Sequence, residues 1–245
     1  MSSGARPRVA VVLFPGSNCD HDAVDAVEAT IGADARLVWH AGTDLERPDL
    51  VVLPGGFSYG DYLRCGALSR FSPIMDAVRD FAAKGGPVLG ICNGFQVLCE
   101  AGLLPGALLT NTGQRFRCED VHVRVETIRT PFTAELTKGD VLRLPIAHGD
   151  GNWRAEAETW DDVTTHDQVV FRYCDPSGAT VAEANPNGSL DNVAGVCNRE
   201  RNVVGLMPHP ERASETILGN DDGARHFRSS ASTLQTNARA RGGGR

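Results

Sequence analysis

The sequence predicts an α/β fold: a doubly wound, mostly parallel central sheet with flanking helices and an antiparallel strand extension. Three observations predict it. Short apolar runs at residues 8–14, 50–53 and 87–91 have the composition of strands buried on both faces. Segments with helical periodicity alternate with these runs, as the crossovers between parallel strands require. After Leu104-Pro105-Gly106 the texture changes to period-two alternation, the pattern of antiparallel strands with one solvated face.

In chain order, the first run ends at Pro15-Gly16-Ser17-Asn18. Asp20 is placed to cap a helix in which Ala23, Val24, Val27 and Ile31 recur at helical spacing, and Gly32 ends it. Strands follow at residues 35–39 and 50–53, the second running into Pro54-Gly55-Gly56. Ser72-Pro73 opens a helix with Ile74, Met75, Val78, Phe81 and Ala82 on one face, stopping before Gly85-Gly86. That helix returns the chain to the run at residues 87–91, after which another helix opens through Phe95, Gln96, Val97 and Leu98. Alternation at residues 121–126, 141–144 and parts of 168–173 predicts the antiparallel strands, and residues 202–207 a last buried one. Residues 224–234 read as a C-terminal helix and 238–245 as a disordered, solvated basic tail. No repeat, linker or shift in composition divides the chain, so it reads as one domain over residues 1–245 with its core at about 8–235.

Composition excludes several classes. A chain of 245 residues, 41% hydrophobic and 22% charged, can bury a full core of its own. A net charge of -7 argues against a nucleic-acid surface, which needs clustered Lys and Arg. No apolar run approaches the roughly 20 residues that cross a bilayer, and no signal-peptide pattern follows Arg8, so the expected location is the cytoplasm, away from membranes. Seven cysteines without paired spacing read as reduced thiols, and no metal site is expected.

One of those thiols stands apart. In Gly90-Ile91-Cys92-Asn93-Gly94 a strand, a sharp turn and a helix would meet at a cysteine, the pattern of a nucleophile elbow. Gly90 and Gly94 would relieve the crowding of such a turn. At a helix N-terminus the dipole and free N–H groups favour the thiolate, the attacking species. The local pattern fits a buried structural cysteine equally well.

A base decides between the two. His209, in Met207-Pro208-His209-Pro210-Glu211, follows a buried strand as Cys92 does, so parallel neighbours would bring both to one carboxyl edge. The prolines bias Met207 and His209 toward extended backbone, which would align His209 with Glu211 two residues on. Gly55-Gly56, at another strand end, could offer backbone N–H groups to a reacting oxygen, or be a plain tight turn. His148 is the rival base, with Asp150 as its carboxylate; His122 sits in an alternating strand, and His21, His40, His166 and His226 show no constellation.

Gly90-Ile91-Cys92-Asn93-Gly94-Phe95-Gln96 and Pro208-His209-Pro210-Glu211 together resemble a class I (triad) glutamine amidotransferase, in which cysteine, histidine and glutamate hydrolyse glutamine to glutamate and ammonia. Within that family the sequence is similar to the glutaminase subunits of phosphoribosylformylglycinamidine synthase, the ATP-dependent enzyme of purine biosynthesis. Residues 14–20, the long loop in 53–64, Pro145-Ile146-Ala147-His148-Gly149 and Asn185-Pro186-Asn187-Gly188-Ser189 carry this finer match, which extends over about residues 9–227.

The resemblance implies a flavodoxin-like sheet, Cys92 as nucleophile, His209 as base and Glu211 as its orienter. It implies oxyanion N–H groups from Gly56, beside Gly55, and from Asn93, with Gln96 near the bound glutamine. It implies no cofactor in this chain: ATP and magnesium would belong to a partner synthetase subunit, accompanied by a small accessory subunit and docked near the 56–67 loop. Asp150 stands where the family pattern has a glutamate, and the tail after Phe227 matches nothing. Two alternatives stay open at this point, another cysteine hydrolase of similar topology and a non-catalytic regulatory subunit.

Overall fold

Five parallel strands and four antiparallel ones make a single nine-stranded sheet in the computed structural model of the protein, which describes residues 6–242. The first half of the chain runs β1 (Arg8–Leu13), α1 (Asp20–Ile31), β2 (Asp34–Trp39), β3 (Leu50–Leu53), α2 (Ile74–Ala83), β4 (Val88–Ile91) and α3 (Asn93–Glu100). The second runs β5 (Ala107–Leu109), β6 (Arg117–Val125), β7 (Val141–His148), β8 (Asn152–Arg154), α4 (Ala157–Thr165), β9 (Val169–Cys174), β10 (Val193–Cys197), β11 (Val203–Leu206) and α5 (Asp222–Gly242).

Strand order across the sheet is β2-β1-β3-β4-β11-β10-β9-β6-β7. The pairs from β2 to β11 are parallel and those from β11 to β7 antiparallel. This is the predicted class. Every residue of β3, β4 and β11 is buried, which is why their sequences read as unbroken apolar runs rather than alternating ones. In β6 and β7 the burial alternates, matching their period-two patterns.

The structure changes several local expectations. Asp20 is the first residue of α1 rather than its cap, and no side chain caps that helix; Gly32, at φ 65°, ends it by donating its N–H to the Glu28 carbonyl. Strands β5 and β8 pair with each other outside the main sheet, and at three residues each they are too short to show a period. Helix α4 buries only Val163, so its sequence carries little apolar periodicity. Strand β10 is apolar and buried throughout, but Gly195 interrupts it. Helix α5 continues to Gly242, so residues 238–242, expected to be disordered, are helical; residues 243–245 of that expected tail lie outside the described residues. Among the described residues no helix is long and apolar enough to cross a membrane.

Candidate active site

Three parallel strands end side by side at the centre of the sheet. The register pairs Leu53 of β3 with Gly90 of β4, and Ile91 of β4 with Leu206 of β11. Pro54-Gly55-Gly56, Cys92 and Met207-Pro208-His209 therefore leave the sheet at one carboxyl edge, where open α/β sheets place their ligands.

Cys92 occupies a strained turn. Its φ of 48° and ψ of -105° lie where L-residues are rarely found, and the chain enters α3 at the next residue. The turn is pinned by its own backbone: the Cys92 N–H donates to the Leu206 carbonyl at 2.8 Å, and Gln96 N–H donates to the Cys92 carbonyl at 3.2 Å. Glycine is required on both sides. A Cβ on Gly94 would stand 1.9 Å from the Leu53 carbonyl oxygen, and one on Gly90 would stand 2.5 Å from Leu98 Cδ1 and 2.8 Å from the Gly94 carbonyl carbon. Strand β4 and helix α3 can approach only because those side chains are missing. The Cys92 Sγ faces the Ala147 carbonyl at 3.8 Å.

His209 is 2% exposed, and its Nδ1 lies 2.6 Å from Oε1 of the equally buried Glu211. A carboxylate can only accept, so Nδ1 carries the proton and Nε2 is the free position. Nε2 is buried and makes no hydrogen bond. Burial works against charge on this ring, but Glu211 and then the Cys92 sulfur outweigh it and hold the pKa well above the ordinary histidine value. The local geometry differs from the extended backbone expected of this segment: Pro210–Ala213 form a short 3₁₀ turn, and this turn brings Glu211 back against His209.

Gly55 packs against that imidazole, where a Cβ would meet Cε1 at 2.7 Å and Cys19 Sγ at 3.1 Å. Gly56, at φ 150°, lies so close to Ser17 that a Cβ would come within 2.7 Å of its Cα. The Asn93 amide is the first of α3, where helix N–H groups have no intrahelical partner. Its side chain ties the next loop down, accepting from Ser58 N–H at 3.2 Å and donating to Gln96 Oε1 at 2.8 Å. Gln96 in turn donates to the Asp150 carbonyl at 2.7 Å.

Cys92, Gly56 and Gln96 line a cavity of about 200 Å³ together with Phe57, Asp61, Cys65, Phe116 and the turn at 147–150. That is below the roughly 300–1,000 Å³ of drug-sized clefts and in scale with an amino acid. His209 and Glu211 do not line it. His148 does, but it has no orienting carboxylate: neither ring nitrogen has a hydrogen-bond partner, and Asp150 is engaged by Cys65 instead. Burial, helped by the charge of His209, pushes the His148 pKa down to about 4.

Sequence reasoning missed Asp61, Cys65, Phe57 and Phe116 as individual residues. It also had no means of seeing that the edge strand β7 returns to the site, where the Pro145 carbonyl accepts the His209 N–H at 2.8 Å. The turn after β7 is braced by asparagines: Asn111 holds the Gly151 N–H at 2.9 Å and the His148 carbonyl at 3.0 Å, and Asn187 donates to the Gly151 carbonyl at 2.8 Å. Cys19 Sγ, a His209 nitrogen and a Glu211 oxygen lie within 4.8 Å of one another, donor types that suit a soft divalent cation. All three are already engaged, since Arg212 donates to Cys19 at 3.1 Å and His209 pairs with Glu211.

The CobB/CobQ-like glutamine amidotransferase domain family matches residues 6–239. Phosphoribosylformylglycinamidine synthase subunit PurQ of Thermomicrobium roseum is 60% identical over 218 residues, covering 89% of this chain and 92% of its own. The subunit of the same name from Methanosarcina acetivorans is 54% identical over 230 residues, covering 94% and 99%. Among solved structures, a chain of PurLQS from Thermotoga maritima superposes with a TM-score of 0.83 at 44% identity, covering 94% of this chain and 99% of that one.

Proposed function

The chain belongs to the CobB/CobQ-like glutamine amidotransferase family, and on that premise we propose that it is the glutaminase subunit of a phosphoribosylformylglycinamidine synthase. It hydrolyses glutamine to glutamate and ammonia. The ammonia passes to a partner synthetase subunit that makes formylglycinamidine ribonucleotide from formylglycinamide ribonucleotide with ATP and magnesium. Its relatives are subunits of that synthase by name, and the Thermotoga maritima structure is of PurLQS, which supports a synthetase and a small accessory subunit as partners. Such chemistry belongs in the cytoplasm.

The residues divide the reaction among them. Cys92, with its proton on His209, attacks the side-chain amide carbon of glutamine, and the tetrahedral oxyanion is received by the N–H groups of Gly56 and Asn93. His209 gives its proton to the departing ammonia. Water then cleaves the glutamyl thioester, with His209 as base and Glu211 holding the ring in the tautomer that leaves Nε2 free. The observation that carries the reading is the buried 2.6 Å His209–Glu211 pair beside an elbow cysteine at a shared strand edge.

Residues 57–66, beside the cavity, present Tyr62 and Leu63 to solvent at 75% and 88% exposure, a surface suited to the synthetase. Glutamate release is measured with and without that subunit. The expected result is a rate that rises on its addition and vanishes in Cys92→Ala; equal rates with and without it exclude gating by the partner, and activity in Cys92→Ala removes the nucleophile.

A further inference from the structure

Glu211 holds the His209 ring at Nδ1, and an adjoining edge of the same ring packs on a thiol that the proposed reaction does not use. That thiol is Cys19, in the 14–20 stretch, 1% exposed and immediately before α1. Its backbone N–H donates to the Gly55 carbonyl at 3.2 Å, which ties the turn before α1 to the end of β3. A Cβ on Gly55 would meet both His209 Cε1, at 2.7 Å, and Cys19 Sγ, at 3.1 Å, so the glycine, the ring edge and the sulfur enclose one small space. Cys19 Sγ stands within 4.8 Å of a His209 nitrogen and of a Glu211 oxygen.

The sulfur is itself held in place. Its thiol donates to Asn18 Oδ1 at 3.2 Å, and Arg212 Nη2 donates to it at 3.1 Å. Arg212 Nε donates to Asp22 Oδ2, in the first turn of α1, at 3.1 Å. The Arg212 backbone N–H donates to the His209 carbonyl at 3.2 Å, so this one residue joins the turn that carries the base to the helix that starts after Cys19. Burial opposes charge on the His209 ring, and Glu211, Cys92 and Cys19 favour it; His148, from the turn after β7, and Arg212 are the other titratable groups beside the pair. A guanidinium would repel a charged ring, but the sulfur and Asp22 accept its Nη2–H and Nε–H and direct it away.

We propose that Cys19 and Arg212 are positioning residues for His209: the guanidinium fixes the sulfur, and the sulfur fixes the Cε1 edge of the ring, so that the nitrogen facing away from Glu211 stays directed at Cys92. The inference rests on the glutaminase reading above and adds two residues to the support of its base. A single contact at Nδ1 leaves the ring free to swing about that hydrogen bond, and a contact on a second edge removes the swing. A reacting group displaced by about 1 Å costs on the order of 10²-fold in rate, which is the scale on which such support acts. Sulfur suits the position, because it is large and polarizable enough to fill the space that Gly55 leaves against the ring. Neither Cys19 nor Arg212 lines the cavity, so the effect falls on turnover rather than on the binding of glutamine.

The test uses the full chain assembled with its synthetase subunit. Glutamate release from glutamine gives kcat and KM for wild type, Cys19→Ala, Cys19→Ser and Arg212→Met. Cys19→Ala and Arg212→Met are each expected to lower kcat roughly tenfold or more, with KM within about twofold of wild type. Cys19→Ser, which keeps a hydrogen-bonding atom at the ring edge, is expected to retain more of the rate than Cys19→Ala. Combining Cys19→Ala with Arg212→Met should cost little beyond the worse single change, since both loosen the same edge. The full chain alone supplies a spectroscopic readout: the low-field proton resonance of His209 Nδ1–H against Glu211 is expected to broaden in Cys19→Ala and in Arg212→Met. Should the buried Cys19 variant fail to fold, as a thermal melt would reveal, the exposed Arg212 still carries the test. Unchanged rates in the single variants, losses confined to KM, or a loss of rate with the resonance intact overturn the positioning role and leave the glutaminase reading standing. A wild-type complex that releases no glutamate overturns the glutaminase reading, while the resonance still reports whether Cys19 and Arg212 hold the ring.

Discussion

The 2.6 Å contact between His209 Nδ1 and Glu211 Oε1 settles which ring nitrogen faces away from the carboxylate, and that nitrogen is buried. Replacing Glu211 by Gln keeps the shape but removes the charge and lets an amide N–H face Nδ1, which selects the wrong tautomer. The expected loss in kcat is on the order of 10⁴-fold, by analogy with Asn for Asp in a serine triad. Glutamate release measures it, and an active Glu211→Gln chain would show that the carboxylate has no part in orienting the base. His226 supports a second prediction at this scale. It is buried among Phe132, Phe171 and Phe227, and burial lowers its pKa to about 4. As pH falls through the ordinary value of about 6.5 the unfolded chain takes up a proton that the folded chain refuses until about pH 4, so stability is lost across that window and constant above it. The contribution is on the order of 3 kcal/mol. His226→Phe should flatten the stability profile between those limits by about one proton, read from urea unfolding at several pH values. An unchanged slope would mean that His226 does not contribute.

At the scale of elements, the strand–turn–helix unit of β4 and α3 is set by two glycines of unequal importance. A methyl group on Gly94 runs into the Leu53 carbonyl at 1.9 Å, a backbone atom of the neighbouring strand, whereas the nearest atom to one on Gly90 is the end of the Leu98 side chain at 2.5 Å. Overpacking of this kind costs about 1–3 kcal/mol, and more where backbone must move. Gly94→Ala is therefore expected to lower the melting temperature further than Gly90→Ala, and to reduce glutaminase activity by shifting Cys92. The reverse order in thermal melts would contradict this account of the elbow. The loop at 57–66 obeys different physics. It is held by Asn93 and Ser58 and by positive φ at three non-glycine residues, so its shape depends on α3 rather than on its own sequence preferences.

Across the whole molecule, the candidate site lies where the parallel half meets the antiparallel extension, with the ends of β3, β4 and β11 bringing Gly55-Gly56, Cys92 and His209 to one edge and β7 closing the far wall. The surface beside it carries Leu63 almost fully in solvent. If the synthetase covers this residue, Leu63→Asp forfeits about 1.5–3 kcal/mol of apolar burial, a roughly 10- to 100-fold rise in Kd. Sedimentation of the mixed subunits measures the change; an unchanged Kd moves the interface elsewhere.

The sequence by itself determined the strand ends that carry Cys92, His209 and Gly55-Gly56, because strands buried on both faces must be continuously apolar and the glycines and prolines that end them are chemically distinct. It also determined the glycines of the elbow, since only close backbone approach demands them. It carried no signal for β5 and β8, which are shorter than a readable period, nor for α4, which buries a single valine. Only the tertiary structure decided that a 3₁₀ turn, not extended chain, brings Glu211 to His209. It alone brought Asp61, Cys65 and Asp150 together around Cys92, residues far apart in the chain. Their meeting depends on a loop held in unfavourable φ by its neighbours and on an edge strand folding back, and neither is encoded in local periodicity.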